Sequence, residues 1–231
     1  MDESLLDSVR SGDRRALSRA ISLLEQRNAA SGLPDAPGVV GITGPPGAGK
    51  STLISALIDM IRSRGETVAV LAVDPSSPIS GGALLGDRIR MQGHVDDEGV
   101  YVRSMATRGH LGGLAVSARD AVSLLSLAGF DRVLVETVGV GQSEVEVMGL
   151  AEVVVLVVGP SWGDQVQADK AGIVEIADVF VVNKGDRPGV KDVARALREA
   201  ADSRDVRVLV TTATTGEGVA ALLDEIDRLL S

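Results

Sequence analysis

The residues with the clearest chemistry form a glycine-rich stretch, Gly44-Pro45-Pro46-Gly47-Ala48-Gly49-Lys50-Ser51-Thr52. Its spacing is G-x-x-x-x-G-K-[ST], and it lies between a predicted strand and a predicted helix, which is the context of a phosphate-binding loop. The glycines allow backbone N–H groups to converge on phosphate oxygens at the start of the helix. We expect Lys50 to neutralise β- and γ-phosphate oxygens, Ser51 to offer its hydroxyl to Mg²⁺, and Thr52 to contact the α-phosphate.

Three acidic residues stand where further ligands of a phosphate-bound Mg²⁺ are expected, namely Asp74, Asp87 and Glu136. Mg²⁺ prefers oxygen ligands, and in P-loop proteins a carboxylate near the end of a strand supplies one directly or through water. Asp74 follows an apolar run, so solvent exposure explains it poorly, although a helix N-cap before Pro75 is an alternative. For Asp87 the alternative is a surface ion pair.

The loop after Glu136 has the pattern of a switch loop that responds to the nucleotide. Gly139 lies where a backbone N–H could sense a γ-phosphate, and Gln142 could orient a water molecule. An exposed loop glutamine is the alternative for Gln142.

A second motif, Asn183-Lys184-Gly185-Asp186, fits N-K-x-D and follows a predicted strand. The Asp186 carboxylate can accept hydrogen bonds from the N1–H and the exocyclic amine of guanine, whereas adenine presents the wrong donor pattern and would leave it unpaired. The stem of Lys184 can pack over the base, and Asn183 can brace the loops. The residues after the next strand, Thr212-Ala213-Thr214, can supply backbone donors near the guanine O6. The pattern therefore predicts GTP or GDP as the ligand.

The elements that must position these motifs alternate between strand and helix. Apolar runs at 38–43, 67–73, 100–103, 132–136, 153–158, 179–182 and 206–211 predict strands, and periodic stretches at 49–64, 114–128 and 190–201 predict helices, as does the chain from residue 219. Such alternation predicts an α/β protein with a three-layer P-loop NTPase fold and a mainly parallel sheet. We expect a helical N-terminal extension over 1–32, broken near Ser11-Gly12-Asp13, and a nucleotide-binding domain over 33–231.

Composition narrows the classes of partner. The 231 residues carry a formal charge of −9, which opposes binding to a phosphate backbone, so nucleic acid is not an expected partner. The chain has no cysteine, its longest strongly apolar run is too short to span a bilayer, and its start lacks the pattern of a secretory signal. We therefore expect a cytoplasmic protein that does not insert into a membrane.

Several long sequence segments resemble those of the MeaB/ArgK family, the methylmalonyl-CoA mutase-associated GTPases of the SIMIBI class. Besides the phosphate loop they are Val73-Asp74-Pro75-Ser76-Ser77, Gly86-Asp87-Arg88-Ile89-Arg90-Met91, Ala106-Thr107-Arg108-Gly109-His110-Leu111-Gly112-Gly113-Leu114 and Glu136-Thr137-Val138-Gly139-Val140-Gly141-Gln142-Ser143-Glu144. The resemblance implies that Asp74, Asp87 and Glu136 serve the Mg²⁺ and the attacking water. It also implies that residues 163–170, with Asp164 and Lys170, form a loop that communicates with a mutase. Family members gate adenosylcobalamin delivery to an acyl-CoA mutase and protect that enzyme.

The sequence departs from the family pattern at three places. Pro160 is followed by Ser161-Trp162 instead of glycine, and an exposed Trp162 would be either a partner contact or local packing. Thr212 replaces the usual serine and keeps the backbone donors. Relatives usually continue beyond the position of Ser231 into a helical dimerisation segment, so a homodimer is possible but is not expected to form by that route. Alternative functions are a metallochaperone GTPase, for which only His94 and His110 offer imidazole ligands, a small-molecule kinase, or a module that binds GTP without turnover.

Overall fold

The computed structural model describes residues 2–26, 32–75, 92–94, 96–107, 111–137, 148–162, 175, 177–201 and 205–231. The strands in these ranges are β1 Val39–Thr43, β2 Val68–Pro75, β3 Val100–Thr107, β4 Arg132–Thr137, β5 Val153–Val158, β6 Val179–Val182 and β7 Arg207–Val210. The helices are α1 Glu3–Arg10, α2 Arg14–Gln26, α3 Lys50–Ser63, α4 Leu111–Leu127, α5 Val190–Ala201 and α6 Val219–Leu230, with 3₁₀ turns at Gln92–His94 and Pro160–Trp162.

The strands form one sheet in the order β3-β2-β4-β1-β5-β6-β7, and every neighbouring pair is parallel. Valine-rich strands of this kind suit a sheet that is buried on both faces, and β5 is buried along its whole length. β1 lies between β4 and β5, so the loop that follows it emerges at the middle of the sheet's carboxyl edge, where ligands bind in open α/β sheets.

Helices cover both faces of the sheet, as the alternation of strands and helices predicts. One cluster of buried residues packs α3 and α6 against one face, and a second cluster packs α2, α4 and α5 against the other. Side chains of a strand alternate between the two clusters: Val133 and Val135 belong to one, and Leu134 belongs to the other. The predicted three-layer α/β fold is confirmed, and the sheet is parallel throughout.

The N-terminal helices pack on the same face as α4. The break between them falls at Ser11–Asp13, as predicted, because Asp13 Oδ1 accepts hydrogen bonds from the N–H groups of Arg15 at 2.8 Å and Ala16 at 3.2 Å and so starts α2. The apolar face of α2 is buried in the core. An ion pair of 2.8 Å between Arg103 of β3 and Glu25 of α2 ties the hairpin to the edge of the sheet. The boundary predicted at residue 32 stays a prediction.

Glu225 is a buried carboxylate on α6, with only 2% of its side chain exposed. Arg228 donates to it at 2.7 and 3.0 Å, and Arg207 of β7 lies 3.0 Å away. The hydrogen bonds from Arg228, supported by the charge of Arg207, hold the pKa of Glu225 below its ordinary value. This cluster fixes α6 to the end of the sheet.

β3 is the strand that differs most from its predicted bounds, since it runs through Thr107 and not only to residue 103. It forms one edge of the sheet, and its middle residues, Val102, Arg103 and Ser104, are only partly buried. An edge strand of this kind lacks the continuous apolar run that marks the central strands. Within the described ranges, no helix is both long and apolar enough to cross a bilayer.

Candidate functional site

The loop at 44–52 takes a path that requires its glycines. Gly44 has a φ of +142°, and a Cβ there would come within 1.9 Å of the carbonyl oxygen of Val157 on β5. Gly49 has a φ of +94°, and a Cβ there would lie 2.5 Å from the amide nitrogen of Asn183. Both positions combine a backbone conformation that L side chains rarely adopt with a close neighbour. The loop therefore lies tightly against β5 and against the loop after β6.

Lys50 is the first residue of α3 and is 94% buried, since only 6% of its surface is exposed. Its Nζ donates to the carbonyl oxygens of Gly44 at 2.8 Å and Pro45 at 3.3 Å, which holds the ammonium group inside the curve of the loop. A buried ammonium group is retained only where acceptors or anions satisfy it. The position is therefore suited to a phosphate, whose oxygens would be charged acceptors.

Ser51 and Glu136 meet at the start of α3 and the end of β4. The Ser51 hydroxyl donates to Glu136 Oε1 at 2.9 Å, and both side chains are buried. A hydroxyl and a carboxylate side by side next to a phosphate loop are the oxygen donors that Mg²⁺ prefers, so the residues present fit this ion. Asp74 lies near the end of β2, in register with Ala106 of β3, and its side chain lies outside the described part of the chain. Asp87, Gly139, Gln142 and residues 163–170 are also outside it.

Asn183 connects the phosphate loop to the loops after β6 and β7. Its Nδ2 donates to the carbonyl oxygens of Ala48 at 3.1 Å and Gly49 at 3.3 Å. Its Oδ1 accepts from the hydroxyl of Thr211 at 3.1 Å and from the N–H of Ala213 at 3.2 Å. A buried amide with both ends satisfied fixes its neighbours in one arrangement. The two predicted binding loops are therefore parts of a single site.

Lys184 is the one non-glycine residue in the described ranges with a positive φ, at +62°. This conformation turns its side chain toward the phosphate loop, where Nζ donates to the carbonyl oxygen of Gly47 at 2.6 Å. The extended stem thus borders a cavity beside these loops. The next residue is Gly185, and a larger residue would be crowded there because its Cβ would lie 2.9 Å from Val210 Cγ1.

A cavity of about 600 Å³ opens beside these loops, a volume within the usual range for small-molecule sites. Its lining includes Gly49, Thr52, Asn183, Lys184, Asp186, Ala213 and Thr214, and also four residues that the motifs did not indicate, Pro160, Ser161, Arg187 and Pro188. Asp186 is 57% exposed, and Arg187 Nε lies 3.5 Å from its carboxylate. Arg187 and Pro188 directly follow the N-K-x-D motif, which is the signal that could have indicated them.

The loop expected to provide backbone donors near the base has two of its three N–H groups engaged. Thr212 N–H donates to the carbonyl oxygen of Glu217 at 2.9 Å, and Ala213 N–H donates to Asn183. Within the described ranges, Thr214 N–H is the one of the three that makes no hydrogen bond. Thr214 is an exposed residue that lines the cavity.

Trp162 corrects an expectation. The sequence suggested an exposed residue, but only 3% of its surface is exposed and it belongs to the apolar cluster that contains α5. The 3₁₀ turn Pro160–Trp162 packs against α5, which buries the indole. Of the two predicted alternatives for Trp162, the structure therefore supports local packing.

A parallel sheet with a phosphate-binding loop at its centre and an N-K-x-D loop tied to it defines a P-loop GTPase. Residues 5–231 match the model of a protein family that is described as "Methylmalonyl Co-A mutase-associated GTPase MeaB". The chain belongs to this family, and the predicted resemblance is confirmed.

Relatives of this chain include bacterial, archaeal and mammalian proteins. A protein of Pyrococcus horikoshii assigned as a GTPase is 47% identical over 97% of this chain and 76% of its own length. GTPase ArgK of Escherichia coli is 39% identical over 91% of this chain and 70% of its own length. The mitochondrial methylmalonic aciduria type A homolog of Mus musculus is 40% identical over 80% of this chain and 47% of its own length.

Solved structures agree with the fold. A LAO/AO transport system kinase superposes with a TM-score of 0.75 at 29% identity, over 98% of this chain and 74% of that one. Hydrogenase maturation factor HypB of Archaeoglobus fulgidus superposes with a TM-score of 0.63 at 18% identity, over 94% and 98% of the two chains. The second likeness concerns the fold alone.

Proposed function

We propose that this GTPase requires Mg²⁺ and serves as a chaperone for an adenosylcobalamin-dependent acyl-CoA mutase of the methylmalonyl-CoA mutase type. In this role, GTP turnover gates cofactor loading and protects the mutase. Support for the client comes from the family description and from the methylmalonic aciduria homolog among the relatives. The observation that carries the GTPase site is the set of hydrogen bonds by which Asn183 holds the phosphate loop and the base loop around one cavity.

In the proposed site, the phosphates lie along residues 44–52. Lys50 turns from the carbonyl oxygens of Gly44 and Pro45 to the β- and γ-phosphate oxygens, exchanging neutral acceptors for charged ones. Ser51 and Glu136, with Asp74 and Asp87, hold Mg²⁺ directly or through water. When bound, the ion neutralises charge that develops on the phosphate oxygens during transfer. Gln142 is assigned to the attacking water and Gly139 to the γ-phosphate.

The base lies in the cavity beside Asp186. The carboxylate accepts hydrogen bonds from N1–H and the exocyclic amine of guanine, and the stem of Lys184 covers one face of the ring. Thr214 N–H is available to O6, whereas Thr212 and Ala213 keep the loop in place through their hydrogen bonds. Guanine is preferred because adenine would leave the Asp186 carboxylate facing a ring nitrogen that carries no hydrogen.

The decisive experiment mixes this protein with an adenosylcobalamin-dependent methylmalonyl-CoA mutase and measures complex formation and GTP hydrolysis together. We expect a complex on size-exclusion chromatography, a hydrolysis rate that rises when the mutase is present, and transfer of adenosylcobalamin to apo-mutase that depends on GTP. A Lys50→Ala variant tests whether the response requires nucleotide. If no complex forms and the rate is unchanged, the chain is a GTPase with a different client.

A second candidate function is that of a small-molecule kinase, and its support is the structural similarity to a protein named LAO/AO transport system kinase. It predicts that the γ-phosphoryl group of labelled GTP appears on an added amino acid such as arginine. The GTPase assignment predicts release as inorganic phosphate at the same rate with and without the amino acid. Chromatography of the labelled products separates the two outcomes.

A further inference from the structure

The last residues of β1 and β4 are joined by a hydrogen bond between two buried hydroxyl groups. Thr137 Oγ1 donates to Thr43 Oγ1 at 3.0 Å, and neither side chain is more than 1% exposed. The pair lies one step beyond Ile42 and Glu136, which are in register across the two strands. Thr43 is followed directly by Gly44 of the phosphate loop, and Thr137 is followed by Val138 and Gly139.

This bond lies on the opposite face of the sheet from the Ser51–Glu136 bond. Thr137 points to the same face as Val135, toward the cluster that contains α4 and α5, because side chains alternate along a strand. Glu136 points to the other face, as Leu134 does, and there it meets Ser51 at the start of α3. The end of β4 is therefore held on both faces of the sheet, to β1 through Thr137 and to the start of α3 through Glu136.

Valine has nearly the shape of threonine, and the other side chains of β1 and β4 that face this cluster are Val39, Val133 and Val135. A buried hydroxyl is unfavourable unless it is hydrogen-bonded, so two threonines at one level exchange simple apolar packing for a directional contact. A directional contact fixes the spacing and rotation of the strand ends more narrowly than apolar packing does. On the other side of β1, Gly44 is already fitted closely against Val157 of β5.

We propose that Thr43 and Thr137 are positioning residues for GTP hydrolysis, which hold the end of β4 at a fixed distance from the phosphate loop. Neither residue touches the nucleotide in this proposal. It rests on the proposed assignment of Gly139 to the γ-phosphate, so the pair affects steps that involve the γ-phosphate and leaves GDP binding to the rest of the loop.

The test uses Thr43→Val, Thr137→Val, the double valine variant and Thr137→Ser, each measured for kcat, KM, GDP affinity and urea unfolding. We expect each single valine variant to lose about tenfold in kcat while GDP affinity changes less than about twofold. Thr137→Ser keeps the hydroxyl and should restore most of kcat. The double valine variant removes both hydroxyls of the pair, and its kcat should stay as low as that of the single variants.

The matched control is Ser123→Ala, which removes a buried hydroxyl that donates to the carbonyl oxygen of Arg119 within α4 at 3.1 Å. This variant should keep kcat. The proposal is overturned if the valine variants keep kcat, or if kcat recovers in the double variant, since both results indicate a structural role only. A parent protein that neither binds nor hydrolyses GTP would instead refute the proposed function itself.

Discussion

Asn183 and Ala48 lie 135 residues apart in the chain, yet the amide nitrogen of the first donates to the carbonyl oxygen of the second at 3.1 Å. The other end of the same amide accepts from Ala213. One buried side chain therefore sets the distance between the loop that faces the phosphates and the loops that face the base.

Asn183→Ala should weaken GTP and GDP binding together, because it removes the side chain that joins the phosphate loop to the loop expected to bind the base. We expect affinity to fall at least about tenfold and the free energy of unfolding to fall by about 1–3 kcal/mol, since the carbonyl and N–H partners are left unpaired. Titration calorimetry and urea unfolding measure the two effects. The exposed Thr215→Ala variant in the loop after β7 is the control, and a loss of stability without a loss of affinity would contradict the bridging role.

Lys50→Ala should abolish tight GTP binding, because it removes the buried ammonium group that lies inside the curve of the phosphate loop. Calorimetry should show no saturable binding at concentrations that saturate the parent. Lys191→Ala removes an exposed lysine from α5 and should bind GTP normally. Unchanged affinity in the Lys50 variant would refute the assignment of the loop.

Asp186→Asn should shift the preference from guanosine to xanthosine nucleotides. The amide donates where the carboxylate accepted, and xanthine offers a carbonyl oxygen in place of the guanine exocyclic amine. Competition between GDP and xanthosine diphosphate measures the reversal, with Asp192→Asn on the exposed face of α5 as the control. Equal affinity of the parent for ATP and GTP would rule out the base assignment.

Glu225→Gln should lower stability at neutral pH by about 1–2 kcal/mol, because hydrogen bonds to a charged partner are replaced by weaker ones. The folded-state pKa of Glu225 is below its unfolded value, so the contribution is complete above the ordinary glutamate pKa of about 4.3. It is lost as the pH falls through the folded value. Urea unfolding at pH 7 and pH 5 should therefore show the same difference between parent and variant, and a smaller difference at pH 3.5. A difference that grows on acidification would contradict the ion-pair explanation.

The central strands could be predicted from sequence, whereas details that depend on tertiary contacts could not. β5 and β6 have their predicted bounds because their valine runs are buried on both faces, which is a local pattern. β3 was predicted to end at Arg103, because a charged residue followed by Ser104 interrupts the apolar run, and the ion pair with Glu25 of α2 explains how Arg103 is accommodated within a longer strand.

The same division holds for the candidate site. The phosphate-binding and base-binding motifs are each contiguous in the sequence, so their residues could be identified without the structure. Thr43 and Thr137 were not selected, because a threonine at the end of an apolar strand gives no signal until the two strands are known to be neighbours. Trp162 was wrongly expected at the surface because its cover is supplied by α5, which begins 28 residues later.

The position of β1 between β4 and β5 sets the order in which a growing polypeptide can assemble its ligand site. Both neighbouring strands and Asn183 are synthesised at least 80 residues after residues 39–52. Until then the loop lacks the contacts with Val157 and Asn183 that define its path. GTP thus cannot guide the first steps of folding, and its binding energy is available only to a chain that has nearly completed the sheet.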